Sequence, residues 1–222
     1  MNIISMKKLS IKDSYMLKPC FQETGLSENQ RDKQKEETRS RLISAGAEVF
    51  GREGLKGARI SDIARTADVA MGTLYTHFED KNELFAEVIR SGKSLVMDGL
   101  IAARSMGETR ETRDRNAMAG VVLFAEHYSG LFRLLMSRGR QENALQAEVI
   151  EAIVALREEE LREGLNEGWV RAGVEPVLAA RCEVGTVFHL LDWWLQSDRT
   201  KSRDEIIDTL TMMRRYGVEG QP

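Results

Sequence analysis

The sequence predicts an all-α protein of about nine helices, and three observations carry that expectation. From Gln34 onward, apolar residues recur at three- and four-residue spacing with charged residues on the opposite face. Only three prolines interrupt 222 residues. No segment shows the strict apolar–polar alternation of a half-buried strand.

The elements follow in order. Residues 1–33 lack sustained periodicity and carry Pro19, Gly25 and scattered lysines, so they are expected to form an N-terminal extension. Leu42, Ala45, Val49 and Phe50 define the buried face of a first helix. Gly54 should end it, since glycine accepts the left-handed backbone of a helix C-terminus. Two short helices are predicted over Ser61–Ala67 and from Ala70 or Met71 to Phe78. A long one begins near Asp80-Lys81 and reaches about Ala103 on Leu84, Phe85, Val88, Ile89 and Val96. The stretch "SMGETRET" reads as a connection. Further helices are expected over Arg113–Tyr128, Leu131–Ser137 and Asn143–Asn166. After the loop "EGWVRAGVEP", Pro176 opens a helix reaching Gln196, and a last helix from Arg203 to about Tyr216 stops at Gly217.

Composition narrows the function classes. With 42% hydrophobic and 30% charged residues the chain is ordinary globular protein, long enough for one large domain or two smaller ones. No apolar run approaches the ~20 residues that span a bilayer, and Ile3-Ile4 is too short for a signal-peptide core. Cys20 and Cys182 form no disulfide framework, so a reducing cytoplasm is the expected location. The net charge of −3 argues against a protein that simply coats nucleic acid; positive charge toward DNA has to be local.

The two short helices and the longer helix before them have the spacing of a helix-turn-helix. Ile60, Ile63, Ala67, Val69 and Leu74 are apolar where the angle between the helices must be buried, and Ala64 is small at the closest crossing. Asp68 falls at the turn, where positive φ is wanted and where Asp is tolerated. Ala70, Met71, Gly72, Thr73, Tyr75 and His77 are then left largely on an outward face. A helix fits the major groove of DNA, with its N-terminal residues reaching base edges. The alternative is an amphipathic pair inside an all-helical core.

The segment from Thr38 to Ile89 resembles the DNA-binding domain of the TetR family of one-component regulators. The matching stretches are "TRSRLISAGAEVFGREG", "ISDIARTADVAMGTLYTHF" and "DKNELF". This resemblance implies that Gly72 lets the backbone approach DNA and that Thr73 and Tyr75 donate hydroxyls to phosphate. It also implies that Lys81 meets a phosphate beside a helix N-terminus. Ala70 and Met71 offer apolar contact to a thymine methyl. His77 either packs between helices or reaches a phosphate. Arg59 stands where the family has a capping Ser or Thr, so capping passes to Ser61 and Arg59 is free to reach a phosphate. Residues 34–90 hold nine Lys/Arg against ten Asp/Glu, leaving Arg39, Arg59, Arg65 and Lys81 as the DNA-facing charges, with Arg31, Lys33 and Lys35 as an arm.

The larger remainder offers little chemistry. No nucleophile–base pairing and no Gly-rich phosphate loop is visible, and an enzyme is not expected; nor is a cofactor. Cys182, His189 and Asp192 share roughly one helix face, as a metal site would, but a packing face is the favoured reading and no metal is expected. By the resemblance, Met118, Phe124, Phe132, Met136, Ile153 and Phe188 surround an effector pocket, with His127 and Tyr128 as polar groups that orient a ligand; plain core is the competing reading. The last two helices carry Ala180, Val184, Gly185, Leu191, Trp194 and Leu195, then Ile206 and Leu210. That is more apolar face than a terminal hairpin buries alone, so a homodimer through a four-helix bundle is expected. The expected organisation is an extension (1–33), a helix-turn-helix domain (34–82) and an effector-binding and dimerisation domain (83–217). The expected function is a cytoplasmic, membrane-free repressor released from a palindromic operator by a small molecule. The rivals are an activator or architectural protein without effector, and a cavity-bearing enzyme or carrier.

Overall fold

The computed structural model describes residues 30–136, 143–198 and 200–218. The readings made for residues 1–29, and for the side chains of Arg31 and Met136, lie outside the described residues. Nine helices make up the described chain: α1 (Gln30–Gly57), α2 (Ile60–Thr66), α3 (Met71–His77), α4 (Lys81–Ser105), α5 (Arg110–His127), α6 (Ser129–Met136), α7 (Asn143–Glu167), α8 (Pro176–Gln196) and α9 (Arg203–Val218).

Local signals account for most boundaries. Gly54 leaves the helical path of α1 at φ 67, ψ 170, as its position demands, and a short turn then resumes to Gly57. Asp80 caps α4 by accepting from the Glu83 amide at 2.8 Å, while the Glu83 carboxylate accepts from the Glu79 amide. Pro176 occupies the first turn of α8 behind Glu175, which accepts from the Leu178 amide. Two starts differ from the sequence reading. α1 begins at Gln30, four residues earlier. α5 begins at Arg110 rather than Arg113, because the Thr109 and Thr112 side chains form a reciprocal capping box. The expected connection "SMGETRET" is shortened accordingly.

The buried apolar residues form three clusters. Leu42, Val49, Phe50, Ile63, Leu74, Phe78, Leu84 and Val88 unite α1–α4, and Leu131, Leu134, Leu135 and Val149 join them from α6 and α7. A second cluster gathers Met118, Val122, Phe132, Leu191, Trp194, Ile206 and Leu210 from α5, α6, α8 and α9. The third, between α7 and α8, holds Val154, Leu161, Val170, Ala180 and Val184. α6 serves two of them, since Leu131, Leu134 and Leu135 point one way and Phe132 the other. α4 is continuous through residue 82, so the expected boundary at 82/83 falls inside one helix.

A charged knot ties five helices together in the distal half. Three guanidiniums converge on the same Glu160 oxygen (α7): Arg104 of α4 at 2.7 Å, Arg157 of α7 at 2.8 Å and Arg214 of α9 at 2.6 Å. Arg157 also grips Glu183 of α8 with two nitrogens, and Arg214 meets Asp114 of α5, which is 2% exposed. Burial pushes the Glu160 carboxyl up, but Arg214, Arg157 and Arg104 more than reverse this and hold it at about 2.

Candidate nucleic-acid interface

The helix-turn-helix is built as its spacing requires. Ile63, Ala64, Ala67 and Leu74 are buried in the angle between α2 and α3, and Ile60 and Val69 are packed against the same cluster half-buried. Asp68 makes the turn at φ 53, the one described non-glycine residue with positive φ. Its amide bonds the Arg65 carbonyl and the Val69 amide bonds that of Ala64, closing the turn without a glycine. Leu74 anchors α3 to the core, and Phe78 ends it in extended backbone, also fully buried.

The outward face of α3 is bare. Met71 is 53% exposed and Tyr75 54%, Ala70 is exposed at the N-terminal end, and a Cβ added at Gly72 would meet nothing within 4 Å. Thr73 is half-buried, and the Thr76 hydroxyl is spent on the Thr73 carbonyl at 2.7 Å. The apolar and small residues thus stand at the N-terminal end of the helix, the end that enters a groove.

Several charged residues have a structural partner as well. Arg39 lies over the Phe78 ring, 5.1 Å from its centre, and pairs with Glu87 at 3.4 Å. Arg65 is exposed and bonds Asp62. Lys81 is half-buried and donates to the Ala58 carbonyl at 3.0 Å, joining the start of α4 to the segment after α1. Arg59 is exposed at the N-cap of α2 and no side chain caps that helix. The expected cap from Ser61 is corrected here: α2 starts at Ile60, so Ser61 already sits inside the first turn and has no cap position to fill. His77 is half-buried, and its Nδ1 has no hydrogen-bond partner. Burial, with Lys35 and Arg39 nearby, holds the imidazole below its ordinary proton affinity.

The effector-pocket residues divide. Met118 and Phe132 are buried; Phe124, Tyr128, Ile153 and Phe188 are half-buried. Phe124 packs against the first and second clusters, Ile153 against the first and third, and Phe188 against the second and third. They therefore line the seam where the three cores meet, with Phe124–Tyr128 rings 5.5 Å apart and Phe132–Phe188 5.9 Å apart. His127 does not join them: it is exposed at the last turn of α5.

The terminal helices require a correction of face. Ala180, Val184, Leu191, Trp194, Ile206 and Leu210 are buried within one subunit, in the second and third clusters, and Leu195 is half-buried against the second. The first six have little surface left to offer a partner, while Leu195 keeps some. α8 is apolar on two sides, and its outer side is a different stripe: Leu178, Cys182, Gly185, His189 and Trp193; on α9, Met212, Met213 and Tyr216 are exposed as well. Of the expected set only Gly185 lies on it. Arg181, Cys182, Gly185, Thr186, His189, Leu190 and Trp193 line a shallow groove there. Among the described residues no three His, Cys, Asp or Glu side chains come together as metal ligands. No helix among them is long and apolar enough to cross a membrane.

Comparison with known proteins agrees with this geometry. A model of the bacterial regulatory proteins of the TetR family matches residues 42–88, which span most of α1 through the first part of α4. The transcriptional activator FasR of Mycolicibacterium smegmatis is 27% identical over 192 residues, covering 85% of this chain and 86% of that protein. The fatty acid degradation regulator FadR from Bacillus halodurans superposes with a TM-score of 0.72 at 19% identity, covering 81% of this chain and 95% of that one. The regulator FadR from Bacillus subtilis, solved in complex with stearoyl-CoA, gives a TM-score of 0.69 at 19% identity, covering 80% and 97%. Residues 42–88 thus match the helix-turn-helix of the TetR family of bacterial regulatory proteins, and the helical frame is shared with those structures.

Proposed function

We propose that the protein acts in the cytoplasm as a homodimer that represses from a palindromic operator and is released by a small molecule with a long apolar part. The bare outer face of α3, with Met71 and Tyr75 about half exposed, carries the DNA reading. In this reading Ala70, Met71 and Gly72 approach base edges, while Thr73, Tyr75, Arg39, Arg59 and Lys81 hold the backbone. Lys81 would leave the Ala58 carbonyl, or share its donors, to do so.

The dimer rests on the outer stripe of α8 and the exposed residues of α9. Leu178 and Trp193 of α8 and Met212, Met213 and Tyr216 of α9 are large apolar side chains that a monomer would leave exposed. Pairing two copies there sets two recognition helices on successive half-sites, and the second docking becomes intramolecular, multiplying affinity by about 10²–10⁴.

For the effector, an acyl-CoA is the favoured chemistry. Phe124, Ile153 and Phe188 are apolar residues packed between the three cores, with Met118 and Phe132 buried in the second, and the relative from Bacillus subtilis was solved with stearoyl-CoA. Occupying the seam would push on α6, which packs on both the seam and α1. Activation is the second reading, favoured by the likeness to the activator FasR.

Selection from random duplexes tests the core of the proposal. A two-fold symmetric motif is expected, with affinity lowered by stearoyl-CoA in titration. Tyr75→Phe should weaken every duplex alike, whereas Met71→Ala should change the recovered motif. No enrichment of any motif would overturn the proposal, and tighter binding with stearoyl-CoA would favour activation.

A further inference from the structure

A cleft of about 390 Å³ opens between the start of α1 and the C-terminal end of the recognition helix. Asp32, Lys35, Glu36 and Arg39 line it from α1, and Thr76 and His77 from α3. Its position relative to DNA follows from helix length. Seven residues at ~1.5 Å rise make α3 roughly 10 Å long, close to the ~12 Å width of the major groove. With Ala70 and Met71 at the base edges, Thr76 and His77 arrive at the flanking backbone.

The fixed charges of this cleft cancel. Lys35 and Arg39 face Asp32 and Glu36, and Arg39 is further engaged by Glu87 of α4. Such a cleft has no net attraction for a phosphodiester while His77 is neutral. One proton on His77 makes it cationic. The geometry disfavours a second proton on His77 in the free protein: its Nδ1 is buried with no hydrogen-bond partner. Burial, then Lys35 and Arg39, disfavour the imidazolium there, against a smaller opposing effect of Glu36.

Resting on the operator-binding reading, we infer that this cleft is a proton-gated seat for one backbone phosphate of the operator, and that each subunit takes up a proton at His77 on docking. The phosphate supplies the negative charge that the cleft lacks; the proton comes from solvent. The sign follows from linkage. His77 is neutral free and cationic when bound, so affinity rises as pH falls through the interval between its bound and free proton affinities. The interval's lower edge lies under the ordinary imidazole value. The limit is one proton per subunit, or about tenfold in affinity per pH unit for each.

The test is titration of the full-length protein with a selected duplex at several pH values between about 6 and 8. Wild type should tighten by about threefold or more per pH unit as pH falls, and His77→Gln should bind with a flat profile. A parallel measurement on wild type follows the imidazole resonances of the three histidines, of which His77 should show a higher proton affinity in the complex than free. Lys35→Ala should weaken binding to a random-sequence duplex at low salt and lower the salt slope by about one per subunit. A flat wild-type profile, a His77→Gln variant that keeps the slope, or an unmoved His77 resonance would overturn the inference while leaving operator binding intact. Failure of wild type to bind the duplex at every pH would overturn operator binding and this inference together.

Discussion

Gly51 of α1 and Gly130 of α6 meet backbone to backbone: a Cβ built on Gly51 would overlap the Gly130 carbonyl, and one on Gly130 would lie 2.9 Å from the Ala47 carbonyl oxygen. The first helix of the DNA-binding unit and the short helix that serves two cores thus touch where neither has a side chain. Gly130→Ala should force them apart and cost about 1–3 kcal/mol, read by thermal unfolding. Gly99→Ala is the control, since its Cβ would meet nothing within 4 Å; there alanine should stabilise α4 by up to ~1 kcal/mol. Equal effects at the two positions would mean that the close approach carries no energy.

Asp68 carries the left-handed turn between α2 and α3 at φ 53. Asp68→Gly removes the strain but loosens the unfolded chain, so stability should change by less than about 1 kcal/mol, with DNA affinity retained. Asp68→Val should lose roughly 1–2 kcal/mol, because a branched Cβ is poorly tolerated in that conformation. Chemical denaturation separates the two.

Gly185 lies exposed on the outer stripe of α8 with open space around its Cβ position. Gly185→Arg should leave the subunit folded, since arginine is the better helix former by roughly 0.5–1 kcal/mol. Placed at the proposed dimer face, it should convert dimer to monomer in sedimentation and remove specific DNA binding. A folded dimer that binds the operator normally would count against this face.

Glu160 holds three arginines, and its carboxyl titrates at about 2 against an ordinary 4.5. A depressed carboxylate contributes stability that is present above the unfolded value and lost as pH falls through the folded one. Its contribution, of order 3 kcal/mol, should therefore fade between about pH 4.5 and 2. Glu160→Gln should destabilise by roughly 3–5 kcal/mol at neutral pH by leaving buried guanidiniums short of charge, and should flatten the acid limb of the stability profile.

The helix-turn-helix was legible because its signals are local: Ile63, Ala64, Asp68 and Leu74 each have a single job within a few residues. Helix starts were less so. Thr109 and Thr112 cap α5 with a threonine at the third position, where glutamate is the usual sign. Which side of α8 packs within the chain was not legible, because α8 is apolar on two sides and periodicity does not say which side turns inward. Ala180 and Trp194 turn inward while Leu178 and Trp193 turn out. Least legible was the knot around Glu160. In "LREEELRE" the charges look like a solvated face, and only helices distant in sequence reveal Arg157 and Glu160 as buried partners. The cleft at His77 likewise needs α1 and α3 brought together before its charges can be counted.

α4 is held by a cation at each end: Lys81 on the Ala58 carbonyl, and Arg104 on Glu160. With ~1.5 Å of rise and ~100° of turn per residue, one inserted residue anywhere between them would swing Arg104 about a quarter-turn off its target. Two inserted residues would point it to the far side. Between the two anchors, then, side chains on the outer surface are free to change, but the number of residues is not. α4 behaves as a gauge of fixed length, and insertions and deletions rather than substitutions are the changes it should tolerate least.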